Sequence, residues 1–197
     1  GKPLDAGHLS YLHGGYENIF PKVEAALDGQ AVGFSTTLQL HKAGKVRILA
    51  LQRESHVAPG VPSLSVAARV TELLDYLQDR GQIDYASISE SDPAANNGVR
   101  WADVIIFSKH SSTAALQLTR YGRQLGKRLV YDIDDWIFSF PEYSGGRQKK
   151  DTTGVILDIL DNCHVVTVAN RRLQEKIRTH VPVTHYVPNG MWVEKYA

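Results

Sequence analysis

The sequence contains very little sulfur: its 197 residues include one cysteine, Cys163, and one methionine, Met191. A single cysteine excludes a disulfide bond within the chain, and it fits a reducing compartment. An excess of charge of either sign is also missing, because 22 Lys and Arg residues are balanced by 21 Asp and Glu residues. This balance argues against nucleic-acid binding driven by bulk positive charge, so we expect no nucleic-acid partner.

Long apolar runs are absent as well. No stretch approaches the roughly 20 apolar residues that cross a bilayer, and no signal-peptide pattern opens the sequence. The chain begins Gly-Lys-Pro without a methionine, from which we expect a piece of a longer protein. The composition is 43% hydrophobic, which is enough for the buried core of one domain. We therefore expect a cytoplasmic protein.

From residue 46 onward, short apolar runs alternate with amphipathic segments. Residues 46–51 read Val-Arg-Ile-Leu-Ala-Leu, a pattern typical of a strand buried on both faces. Further strands are predicted at 83–88, at 102–107, from Arg128 into a stretch of acidic residues that begins at Asp132, at 164–168 and at 183–187. Residues 89–98 are predicted to form a polar loop. Residues 1–45 lack this alternation and are predicted to form an irregular extension or cap.

The helices are predicted from apolar stripes and from the residues that begin and end them. Residues 63–80 carry a stripe of Val and Leu that ends at Gly81, and a second helix from Ser112 or Thr113 ends at Gly126. Two more helices begin near residue 151 and after Asn170. Strands alternating with helices in this way predict an α/β fold, namely a Rossmann-like doubly wound parallel sheet with helices on both faces.

Three carboxylates follow one of the predicted strands. Asp132, Asp134 and Asp135 fall within four positions and are followed by Trp136. Crowded carboxylates repel one another, and the carboxyl ends of parallel strands are where open α/β sheets bind ligands. Alternation along the strand predicts that Asp132 and Asp134 point the same way, with Asp135 beginning the loop. We interpret the three as one wall of a site that hydrogen-bonds hydroxyl groups or orients one as a base would.

A structural alternative for these acids is a cap on the next element, with salt bridges to Lys127, Arg128 or Arg147. Arg120 and Arg123 extend the same basic patch along a predicted helix. Such patches can contact anionic lipid, but a solvated helix face is the favoured interpretation.

Two further stretches are candidates for binding. Gly60 precedes a predicted helix, where a glycine lets backbone amides approach a ligand and a helix N-terminus favours an anion such as a diphosphate. The alternative is a plain turn. Ser108 and Lys109 end the strand at 102–107, at the same predicted sheet edge as the carboxylates. Lys109 can pair with those acids or bind an anionic ligand, but a solvated loop is the favoured interpretation.

Five segments resemble, in order, the N-terminal half of retaining GT-B glycosyltransferases of family four. They are the Pro59–Gly60 loop with its helix, Ala-Asp-Val-Ile-Ile at 102–106, the segment at 126–135, Val-Val-Thr-Val-Ala-Asn at 165–170 and Tyr-Val-Pro-Asn-Gly at 186–190. The segment at 126–135, with its Tyr-Asp-Ile-Asp-Asp, is similar to that of a subgroup that builds bacterial polysaccharides. The chain departs from many relatives where Asp134 replaces a histidine and where Ala169 replaces a serine.

The resemblance implies a domain that transfers a sugar from a nucleotide-sugar donor to a glycan or lipid-linked acceptor, at the inner face of the membrane. It implies an acceptor-side domain at 46–187 and, at 188–197, the start of a linker to a donor-binding domain, so the chain alone is expected to be inactive. No metal or other cofactor is required by this pattern. The implied catalytic residues are Asp134 and Asp135, and the implied substrate-binding residues are Asp132, Gly60, Ser108, Lys109, Asn189 and Gly190.

Other functional classes remain open. Asp132-Ile133-Asp134 also satisfies the Asp-x-Asp pattern of metal-dependent GT-A transferases, in which the pair would ligate Mg²⁺ or Mn²⁺ on the donor diphosphate. The same residues also match a hydrolase motif in which an Asp nucleophile lies two positions before an Asp acid/base. This alternative ranks low, because that motif normally lies on the first strand and three strands precede it here. A non-catalytic module that binds a glycan or a protein partner is the more serious alternative.

Overall fold

A computed structural model describes residues 44–53, 66–138, 152–181 and 183–190. Within these ranges six strands form one sheet in which all neighbouring strands are parallel. The strands are β1 (Val46–Gln52), β2 (Ile83–Ser89), β3 (Val104–Ser108), β4 (Arg128–Ile133), β5 (Val165–Val168) and β6 (Thr184–Tyr186). The predicted α/β class with a Rossmann-like parallel sheet is confirmed.

The helices flank this sheet. A π-helical turn (Ala67–Thr71) runs directly into α1 (Glu72–Asp79), and the others are α2 (Ala95–Trp101), α3 (Thr113–Gln124), α4 (Thr152–Asn162) and α5 (Arg171–Ile177). The prediction of a loop throughout 89–98 is wrong, because α2 begins inside it. Ala95, Gly98 and Val99 are buried on α2, so packing on the sheet outweighs the poor helix propensity of Asn96, Asn97 and Gly98.

Alternate residues of the strands belong to two hydrophobic clusters, one on each face of the sheet. On β1, Leu49 and Leu51 face one cluster, whereas Ile48 and Ala50 face the other. The first cluster contains buried residues of α2, α3, α4 and α5, and the second contains those of the π-helical turn and α1. Burial of apolar side chains on both faces explains why the strands read as continuous apolar runs.

The predicted helix ends are confirmed wherever the structure describes them. The Ser112 hydroxyl accepts a hydrogen bond from the Ala115 amide at 3.0 Å, and Asn170 Oδ1 accepts one from the Leu173 amide at 2.8 Å. Each of these N-caps satisfies an amide that the helix itself leaves without a partner. Ser63, the predicted start of the first helix, lies outside the described residues.

The strand order β2-β1-β3-β4-β5-β6 contains one reversal of direction. The chain moves outward from β1 to β2, returns across β1 to β3, and then continues the other way to β6. In open parallel sheets, ligands bind at the carboxyl edge beside such a reversal, which here lies between β1 and β3. No helix among the described ones is both long and apolar enough to span a membrane.

Candidate functional site

The acidic stretch begins inside the sheet. Asp132 lies on β4 and is 5% exposed, and Arg69 of the π-helical turn lies opposite it. Arg69 Nε donates to Asp132 Oδ2 at 2.8 Å and Nη2 donates to Oδ1 at 2.6 Å. The Thr167 hydroxyl of β5 donates to the same Oδ1 at 2.7 Å. Both carboxylate oxygens of Asp132 are thus engaged by groups of the protein itself.

Arg69 also reaches the segment that follows β6. Its Nη1 donates to the Val187 carbonyl oxygen at 3.2 Å and to Asn189 Oδ1 at 2.5 Å. Burial by itself lowers the pKa of Arg69. The hydrogen bonds and charge of Asp132, together with the charge of Asp134, raise this pKa by more than burial lowers it. The net pKa lies above its ordinary value, so a buried guanidinium stays protonated and links three parts of the fold.

Asp134 lies in the bend that follows β4, and its partner is Lys109. Lys109 Nζ lies 2.7 Å from Asp134 Oδ1, and the two side chains are 16% and 14% exposed. Of the alternatives for Lys109, the ion pair with the acidic stretch is thus the one present, and the favoured interpretation of a solvated loop is wrong. Of the other cations considered, Lys127 donates to the Arg100 carbonyl at 2.8 Å, and Arg147 lies outside the described residues.

The backbone of Lys109 adopts a left-handed conformation. Its φ of 52° makes it the one non-glycine residue with positive φ among those that the structure describes. This conformation costs a residue with a Cβ roughly 1–2 kcal/mol. Lys109 N donates to the Asp132 carbonyl at 3.1 Å, and Arg53 Nη1 donates to the Lys109 carbonyl at 3.1 Å. The strained peptide is thus held between the ends of β1 and β4, beside the reversal in strand order.

The residues on either side of Lys109 are buried and lock the turn. Ser108 is 3% exposed and His110 is fully buried. The Ser108 amide donates to His110 Nδ1 at 3.0 Å, which places the ring proton on Nε2, and the Tyr131 hydroxyl donates to the His110 carbonyl at 2.6 Å. Burial, assisted by the charge of Arg53, lowers the pKa of His110 to about 3. His110 is therefore neutral at physiological pH.

The remaining predicted site residues lie around this edge. Asp135 is exposed beside Asp134, and Asn189 is exposed with its side-chain oxygen on Arg69. Gly190 lines a small cavity between the π-helical turn and the sheet. Gly60 lies outside the described residues, so its role stays a prediction.

The cavity measures about 60 Å³. This is far below the roughly 150 Å³ of an engineered protein cavity that holds a benzene ring, so a sugar ring does not fit as the cavity stands. Its lining is mainly apolar, with Arg69, Asp132 and Thr167 as the polar members; the others are Ala68, Val70, Leu73, Leu74, Ile106, Val130, Val187, Pro188 and Gly190.

The carboxylates fit a divalent metal poorly in this arrangement. A cation shared by Asp132 and Asp134 would have to displace Arg69 and Lys109, each of which already lies within 2.7 Å of its carboxylate. Metal ions need oxygen ligands that are free to point at them. Among the residues described, no group of three His, Cys, Asp or Glu side chains is placed to hold a metal.

No protein-family model matches this chain, and none of the curated proteins matches it significantly. The geometry of the sheet edge is therefore the main guide to the site.

Arg69 and Thr167 are the site residues that sequence reasoning missed. A signal for Arg69 was present, because it lies three residues after Val66 and four before Leu73, on the predicted buried stripe of its helix. A basic residue on such a stripe requires a buried acid as partner. Thr167 gave no comparable signal, because threonine is an ordinary residue in a strand.

The predicted basic patch makes local contacts. Arg120 Nη2 lies 3.3 Å from Asp158 Oδ2, and Arg123 Nη1 donates to the Asn162 carbonyl at 3.2 Å. Arg120, Arg123 and Lys127 of the predicted patch thus each contact the protein's own surface. Lipid contact through this patch stays a prediction.

Proposed function

We propose that this chain is the acceptor-side domain of a glycosyltransferase that moves a sugar from a nucleotide-sugar donor to a glycan or lipid-linked acceptor. One observation carries the proposal. Two of the family-like segments, the acidic strand and the Pro-Asn-Gly segment, are far apart in sequence, yet Arg69 hydrogen-bonds to both at one sheet edge. The reversal in strand order lies along the same edge, where a cleft would place an acceptor.

The three carboxylates take different roles in this proposal. Asp134 is partly accessible and paired with Lys109, so together they offer a hydrogen-bond acceptor and a donor to an acceptor hydroxyl. Asp132 is buried and paired, and its carbonyl oxygen holds the Lys109 amide in place. Asp135 is exposed and contributes to the rim of the site. Charge on the leaving nucleotide would be stabilised by groups outside these residues.

The metal-dependent alternative has less support, because both oxygens of Asp132 are already hydrogen-bonded. A module that binds a glycan without turnover would use the same edge, and only a reaction assay separates it from a transferase.

The test is sugar transfer by the natural protein that contains this sequence, measured with labelled nucleotide sugars and glycan or lipid-linked acceptors. We expect Asp134→Asn to lower kcat by about 10² or more, the usual effect of removing an acid/base group. The matched control is Asp158→Asn, because Asp158 pairs with Arg120 at 53% side-chain exposure away from the acidic strand. We expect that control to leave the rate unchanged.

Three outcomes would contradict the proposal. An unchanged rate for Asp134→Asn would remove the role given to this residue. Turnover by the 197-residue chain alone that requires added Mn²⁺ would favour the metal-dependent mechanism. Glycan binding without transfer from any donor would favour the binding module.

A further inference from the structure

We propose that Arg69 is a positioning residue that fixes the orientation of the exit segment, residues 187–190, relative to the acidic strand. The structural part of this proposal stands by itself. Its consequence for sugar transfer rests on the proposed function.

The guanidinium of Arg69 uses all three of its nitrogens as hydrogen-bond donors. Nε and Nη2 are both used by Asp132, and Nη1 donates to the Val187 carbonyl and Asn189 Oδ1. A guanidinium is planar and its donors point in fixed directions. Once Asp132 holds one edge of the plane, the direction of the bonds to the exit segment is determined.

Arg69 and Asp132 are each anchored independently of the exit segment. Arg69 belongs to a π-helical turn whose Val70 is 5% exposed and packs in the core, and such turns are common at functional sites. Asp132 is fixed by its strand and by Thr167. The exit segment follows β6, a strand of three residues, and residue 188 is a proline without an amide proton. Within the described ranges, its hydrogen bonds are the two from Arg69 and that from the Val187 amide to the Val168 carbonyl at 2.9 Å.

The exit segment is held differently along its length. Val187 is 7% exposed and belongs to the buried cluster that contains Val70. Pro188 and Gly190 are half-buried beside the 60 Å³ cavity, and Asn189 is exposed. Beyond Val187, the hydrogen bond from Arg69 to Asn189 therefore carries much of the contact, and the segment has room to move when that bond is lost.

Under the proposed function, the exit segment leads toward the donor-binding side. Arg69 would then set the position of the donor relative to Asp134 without touching any reacting atom. This is the role of a positioning residue, because small misplacements at the reacting centre reduce the rate strongly.

The experiment is amide hydrogen exchange by NMR on the wild-type chain and on Arg69→Lys. A lysine keeps the charge opposite Asp132, but a single ammonium lacks the planar fork that serves Asp132 and the exit segment together. We expect the Val187 amide to exchange at least roughly tenfold faster, because one hydrogen bond to a charged group is worth about that factor and the variant loses two. The Val130 amide, in the centre of the sheet, should be accelerated by a smaller factor than the Val187 amide, because its strand keeps its own ladder of hydrogen bonds.

Two controls accompany this variant. Arg123→Lys makes the same substitution on α3, where Arg123 donates to the Asn162 carbonyl, and should leave Val187 exchange unchanged. Asn189→Ala removes one of the two bonds at an exposed position, and should accelerate Val187 exchange by a smaller factor than Arg69→Lys.

Unchanged exchange at Val187 in both Arg69→Lys and Asn189→Ala would overturn the proposal. Equal acceleration of Val187 and Val130 in Arg69→Lys would also overturn it, since Arg69 would then be an ordinary core residue. In the transfer assay, Arg69→Lys should lower kcat and leave the acceptor KM within about twofold, since the acceptor contacts themselves are kept. If exchange behaves as expected but the natural protein transfers no sugar from any donor, the proposed function fails and the structural role of Arg69 stands.

Discussion

The buried pair of Arg69 and Asp132 leads to a quantitative prediction about stability. The two side chains are 5% and 7% exposed, with contacts of 2.6 and 2.8 Å between them. Asp132→Asn replaces the carboxylate by a neutral amide of the same shape and leaves the guanidinium buried without its hydrogen-bonded counter-charge. Removing one partner of a buried pair costs about 3–5 kcal/mol. We expect a loss of unfolding free energy in this range at pH 7.

The reverse single change and the double change complete a thermodynamic cycle. Arg69→Met leaves the Asp132 carboxylate buried with only the Thr167 hydroxyl as a donor, and should also be strongly destabilising. The double variant carries neither charge, and the amide oxygen introduced by Asp132→Asn still accepts a hydrogen bond from the Thr167 hydroxyl. We expect it to be more stable than the two single losses predict, with a coupling free energy of about 2–3 kcal/mol.

The measurement is urea unfolding followed by circular dichroism, with m-values compared to confirm that the same surface unfolds in each variant. Arg47 and Asp103 provide the matched control, because they form two similar contacts at 2.9 and 3.2 Å but are 41% and 27% exposed. Asp103→Asn should therefore cost distinctly less than Asp132→Asn. Additive losses in the cycle, or equal losses for the two Asp→Asn variants, would refute this account of the buried pair.

Two further predictions concern acid stability and glycine packing. Burial lowers the pKa of His110 from 6.5 to about 3, so between these values the unfolded chain binds more protons than the folded chain. This contribution to stability is fully present above pH 6.5 and is lost as the pH falls toward 3, by up to about 5 kcal/mol. Urea unfolding measured between pH 7 and 4 should show this fall in the free energy of unfolding. In His110→Asn the free energy of unfolding should depend less on pH. Gly154→Ala on α4 meets no atom within 4 Å and should stabilise the fold by about 0.5–1 kcal/mol. Gly122→Ala places a Cβ 3.0 Å from side-chain atoms of both Ile105 and Leu129, which are fully buried. In thermal unfolding, Gly122→Ala should lower the melting temperature and Gly154→Ala should raise it.

The acidic stretch shows how far sequence reasoning reached at the site. Its position at the carboxyl end of a strand was predicted, because strand alternation and the parallel topology are local consequences of the pattern. Its contact with Lys109 was one alternative, and a solvated loop was the favoured one. The crowding of charge was interpreted as the sign of a shared site. In the fold, Asp132 and Asp134 each have a separate cation, so their proximity in sequence does not mean a common ligand. The catalytic roles of Asp134 and Asp135 stay predictions.

Arg69 and the exit segment illustrate what the sequence left undetermined. Arg69 and Asn189 meet only because β4 and β6 end at the same edge and the π-helical turn lies over it. Residues this far apart along a chain have no sequence pattern that links them. The helix at Ala95–Trp101 was missed for a related reason, since its stability comes from burying Ala95 and Val99 rather than from its own propensity.

The sequence by itself determined the class of fold, most strand positions and the helix ends, because apolar periodicity and capping are properties of neighbouring residues. The tertiary structure alone decided which charges are paired, which site residues are buried and how the end of the described chain is held. Those outcomes depend on burial and on contacts between distant segments, and the free energy of a charge changes most when it leaves water.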